Sequence, residues 1–64
     1  MNLVELRHSI KGDSSGIDAT LTMLLKFFQD FSDEEKIEYL QELKDRASSM
    51  DKKLTKLFEE GQND

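Results

Sequence analysis

Glu34, Glu35, Glu38 and Glu42 recur at intervals of three and four residues, the spacing that stacks side chains on one face of a helix. Paired carboxylates so placed can ligate a metal ion or share acid and base roles. That chemistry also needs a pocket, groups that hold a substrate and, in most metal sites, a histidine. The chain offers one histidine, His8, beside Arg7, and no cysteine, so neither an imidazole cluster nor a thiolate site can form. Glu42 has a simpler use as an i,i+4 ion pair with Arg46. The segment KGDSSG, residues 11–16, is rich in glycine and serine but lacks the order of a phosphate-binding loop, and no clear strand leads into it. The expectation is a chain with no catalytic site, no cofactor and no metal.

Lys44, Arg46, Lys52, Lys53 and Lys56 are the residues able to meet phosphates. Asp45, Asp51, Glu59 and Glu60 are interspersed among them, and no aromatic side chain lies between the lysines to stack a base. The chain carries 14 acids against 9 bases, a net charge of -5, which disfavours a general affinity for nucleic acid.

These side chains must be held by helices. Proline is absent, which removes the strongest helix breaker, and no run approaches the length of a membrane span. The opening MNLVELRHSI carries charges where a signal peptide needs its apolar core, so a cytoplasmic location is expected. FSDEEK, residues 31–36, reads as a helix start. Ser32 and Glu35 have the spacing of a capping box, and Asp33 and Glu34 sit where the helix dipole favours acids. Helix B then runs over 33–60, with Leu40, Leu43, Ala47, Met50, Leu54 and Leu57 on one stripe. Gly61 is a candidate C-cap, and 61–64 a frayed tail.

Helix A is expected over 17–31, capped by Ser14 or Ser15, with Ile17, Leu21, Leu24, Phe28 and Phe31 on its stripe. Residues 12–16 read as a Gly/Ser break, leaving 1–11 as a short N-terminal helix or arm whose alternation also admits a strand. Leu3, Ile10, Ile17, Leu24 and Phe31 nevertheless keep a seven-residue step through that break. A turn centred on Ser32 pairs residues whose numbers sum to 64, which sets Leu24 against Leu40, Leu21 against Leu43 and Ile10 against Leu54. The fold class is therefore all-α, a single small domain over 1–64 with an antiparallel helical hairpin at 17–60.

Met23, Leu25 and Phe27 widen the apolar arc of helix A to about 200°, more than one neighbour covers. With Tyr39 and Phe58 they form the candidate interface, either for a homodimer closing into a four-helix bundle or for a protein partner. Size, charge balance, the acid-rich turn and the string TLTMLLKF, residues 20–27, resemble the Rop family of plasmid-encoded, RNA-binding helical hairpins. The resemblance implies a dimeric bundle that binds paired RNA loops through one face. KGDSSG interrupts the helix that is continuous in that family, and the family's RNA-facing pattern does not map onto residues 1–16, so no binding residue carries over.

The leading expectation is a non-catalytic protein-protein interaction module, a small bacterial, plasmid or phage regulator or inhibitor that docks on a larger protein. A Rop-like nucleic-acid-binding regulator is the alternative. Acidic mimicry of nucleic acid is a third reading.

Overall fold

The computed structural model describes residues 2–62, and side chains as far as residue 60. Among the described residues the chain is all-α, with no strand. It consists of α1 (Leu3–Phe27), a 3-10 turn (Phe28–Asp30) and α2 (Asp33–Gln62).

Helix α1 differs from the sequence expectation. Residues 3–11 are neither a separate helix, a strand nor an arm, and 12–16 are not a break. One helix runs from Leu3 through both glycines, neither of which has a positive φ. Its cap is Asn2, whose Oδ1 accepts from the Glu5 amide at 2.8 Å, in place of Ser14 or Ser15. Two helical glycines cost about 1 kcal/mol each relative to alanine. A break, however, would expose a new set of unpaired amides and carbonyls. It would also release the N-terminal half from α2, and with it Leu6, which is 1% exposed. Burying one leucine side chain stabilises by about 1.5–3 kcal/mol, comparable to the whole glycine penalty. The seven-residue step from Leu3 to Leu24 therefore lies on one continuous surface.

The α-helix ends at Phe27 rather than Phe31. Phe28–Asp30 tighten into a 3-10 turn, and Phe31 takes extended geometry with its amide donating to the Phe28 carbonyl at 3.4 Å. The capping box forms next. The Glu35 amide donates to Ser32 Oγ at 3.2 Å, and the Ser32 amide donates to Glu35 Oε1 at 3.0 Å. Hydrogen bonding from the Ser32 amide, then from its hydroxyl, holds the Glu35 carboxyl below its ordinary value of 4.5. The Phe31 ring packs on Tyr39, centroids 5.1 Å apart, and the Lys36 ammonium stands 4.3 Å from the centre of the Phe28 ring. At the far end α2 continues through Gly61 to Gln62, so Gly61 does not end the helix; residues 63 and 64 of the expected tail lie outside the described residues.

Helix α2 returns alongside α1. Asp13 meets Lys53, and a Cβ added at Gly16 would overlap the Arg46 guanidinium. The number sums of these two pairs fall on either side of 64. The molecule measures 49 × 15 × 15 Å, one helix length by two helices. Among the described residues only Leu6 and Leu24 are buried, at 1% and 4% exposure. They are eighteen residues apart, about five helical turns, and so share one line along α1. Half-buried Tyr39, Leu43, Met50 and Leu57 line the α2 side of the contact.

Gly12→Ala should raise stability by about 1 kcal/mol, because nothing lies within 4 Å of the added methyl. Gly16→Ala should gain less, since Arg46 must swing away. Ser32→Ala should cost about 1 kcal/mol through the lost cap. Urea unfolding followed by far-UV ellipticity measures all three.

Candidate docking face

Rotation about each helix locates the remaining side chains. Relative to Leu24, and at about 100° per residue, Leu21 lies about 60° and Leu25 about 100° to one side of α1; Phe27 and Met23 lie about 60° and 100° to the other. Relative to Met50 on α2, Leu54, Ala47, Leu40 and Phe58 lie about 40°, 60°, 80° and 80° in the positive sense. Arg46, Lys53, Glu42 and Ser49 lie about 40° to 100° in the negative sense. Because the helices run in opposite directions, the same rotational sense carries both toward the same side of the pair.

The result is one apolar side and one polar side. The apolar side carries Leu21, Leu25, Leu40, Ala47, Leu54 and Phe58, with Phe28 at the turn. Leu25 is 83% exposed, Phe58 68% and Leu40 53%. The polar side carries both close interhelical contacts, Asp13 with Lys53 and Gly16 with Arg46, as this geometry requires.

On the polar side Lys53 Nζ donates to Asp13 Oδ2 at 2.8 Å, the two side chains 26% and 15% exposed. The Lys53 hydrogen bond is the main cause holding the Asp13 carboxyl below its ordinary value of 3.8. Partial burial works against it, while the Lys53 charge, the Ser49 hydroxyl and the Arg46 charge reinforce it. Arg46 Nε lies 3.5 Å from Glu42 Oε1, the i,i+4 pair expected from the sequence. Beside them runs an open groove lined by Asp13, Glu38, Gln41, Glu42, Asp45, Arg46 and Ser49, with Ile37 as its one large apolar side chain. Among the described residues no three acids or histidines stand close enough together to hold a metal ion.

The five candidate interface residues separate. Leu25 and Phe58 stand on the apolar side. Tyr39 lies on the contact line against Phe31. Phe27, half exposed, and Met23, half-buried, fall on the polar side. The five cations separate as well. Arg46 and Lys53 are engaged by Glu42 and Asp13, and Lys44 Nζ donates to Ser48 Oγ at 2.7 Å. Lys52 and Lys56 are exposed on the part of α2 turned away from α1. Together they spread over about 200° of the helix rather than along one strip.

Sequence reasoning placed Leu21 and Leu40 in the seam between the helices, but they are 43% and 53% exposed. The shared rotational sense of an antiparallel pair is the signal that moves them onto the apolar side. Asp13, read as part of a loop, carried no sequence signal for its bond to a lysine forty residues away. No protein-family model, curated protein or solved structure matches this chain. No helix among the described residues is long and apolar enough to cross a membrane.

Because the native carboxyls of Asp13 and Glu35 titrate below their unfolded values, their stabilisation is complete above the unfolded pKa, near 4. It is lost as pH falls through the native one. The thermal midpoint should hold steady from pH 7 to 5 and decline below about 4. Asp13→Asn should lower it at pH 7, by leaving Lys53 unpaired, and should shallow the acid decline. Thermal melts across this range check both effects.

Proposed function

We propose that this chain is a non-catalytic protein-protein interaction module, a small regulator that works as an antiparallel helical hairpin docking another protein surface on its apolar side. The observation that carries the reading is the set of large apolar side chains standing out together there, Leu25, Leu40 and Phe58, each more than half exposed. Each leaves on the order of 1–2 kcal/mol of burial unrealised while solvated. Grouped aromatic and aliphatic anchors of this kind form the centres of protein interfaces. A helical surface laid on this side would complete a bundle. A cytoplasmic, bacterial, plasmid or phage setting remains part of this proposal.

A second reading, a Rop-like dimeric regulator of RNA, gains support from one observation. Helix α1 is continuous from Leu3 to Phe27, as the first helix of the resembled family is. The scatter of Lys44, Arg46, Lys52, Lys53 and Lys56 around α2 weighs against it. Lys52→Glu with Lys56→Glu should leave RNA retention at low salt unchanged if protein docking is the role.

The docking reading predicts that the isolated chain either associates through its apolar side or binds an apolar dye there. Leu25→Glu with Phe58→Glu should abolish whichever is observed and retain the far-UV helical signal, both positions being already solvent-facing. A chain that sediments at 7.4 kDa and binds no dye would end this reading.

A further inference from the structure

We infer that the occupant of the apolar side is a second copy of this chain, seated by a two-fold axis perpendicular to the helices so that the turn of each copy lies over the termini of the other. The inference rests on the docking reading and names its partner.

Three observations carry it. The first is area. A compact folded monomer of 7.4 kDa exposes about 4,200 Å², whereas this chain exposes 5000 Å². The excess of about 800 Å² equals one partner's share of a standard protein-protein interface. The chain has no cysteine and, among the described residues, only two buried side chains, and association is the usual remedy for so small a core.

The second is self-complementarity. A two-fold interface uses the same patch on both copies. Leu40 and Phe58 are eighteen residues apart, hence on the same line of α2, and equidistant in sequence from Ser49. An axis at the level of Ser49 brings Leu40 of one copy level with Phe58 of the other and sets α2 against α2. Between these two large anchors the same side carries Ala47 and Leu54. Ala47, the nearer to the axis, is small, and on α1 Ser14 stands near the same level, so the backbones can approach at the axis, while Leu54 comes level with the aliphatic stem of Lys44 on the second copy. The same operation brings Lys44 to within about 5 Å, along the helix axis, of Asp51 on the second copy.

The third is charge. Residues 16–48, the half that contains the turn, hold eight acids against four bases; the rest of the described chain holds five of each. A two-fold axis parallel to the helices would place the two acidic halves side by side. The perpendicular axis sets each against a neutral half, the electrostatically favoured choice.

Single-cysteine variants of the full chain test the arrangement. Leu40→Cys and Phe58→Cys, mixed under mild oxidation, should form the mixed disulfide at least tenfold faster than either variant cross-links with itself. The unmodified chain should sediment at twice 7.4 kDa, with a thermal midpoint that rises with concentration. A dimer in which Leu40→Cys cross-links with itself as fast, or in which neither pairing forms, would overturn the inference. A monomer that binds apolar dye would overturn the second copy and leave docking on a different protein standing; a monomer that binds none would remove both.

Discussion

Two helices in contact can bury only the stripe along which they touch, and everything else in this molecule follows from that limit. Each helix offers its neighbour about a third of its circumference, whereas the apolar residues of α1 cover more. Leu6 and Leu24 lie on the contact line and are buried; Leu21 and Leu25, turned to one side of it, are not. The same limit on α2 leaves Leu40 and Phe58 outside. A third helical surface changes this arithmetic, because it covers one flank of both helices at once. That is the physical sense in which the apolar side is unfinished.

What holds the pair in place is distributed between its turn and its polar side. The capping box begins α2 at Ser32, and the contact of Phe31 with Tyr39 ties the extended residue before the cap to the first turns of that helix. Farther along, the Asp13–Lys53 bond fixes how far α2 slides along α1. Ion pairs of this partly covered kind add little net stability, because desolvation offsets the attraction. Their contribution is to select a register, since one residue's displacement would leave both charges without a partner.

The helical class, the turn and its cap were legible because their signals are local. Ser32 and Glu35 are three residues apart, and the box they form needs nothing beyond the backbone between them. The continuity of α1 was not legible, because its two contributions lie at different ranges. The glycine penalty is written into KGDSSG itself, while the compensating contacts of Leu6 and Asp13 come from α2, forty or more residues away. The candidate site was half legible for a related reason. Hydrophobicity off the main stripe marks Leu25 and Phe58, but a single helical wheel cannot tell on which side of the neighbouring helix a residue emerges. Met23 and Phe27 therefore looked equivalent to Leu25, and they stand on the opposite side.

Tyr39 is the sole tyrosine, and tryptophan is absent. Excited at wavelengths beyond the phenylalanine band, fluorescence from this protein therefore comes from a single ring, seated on Phe31 and a short step beyond the capping box. Emission from that ring senses the bend alone, while far-ultraviolet ellipticity averages over both rods. An unmodified chain thus contains its own optical probe for asking whether the bend closes before the free ends meet.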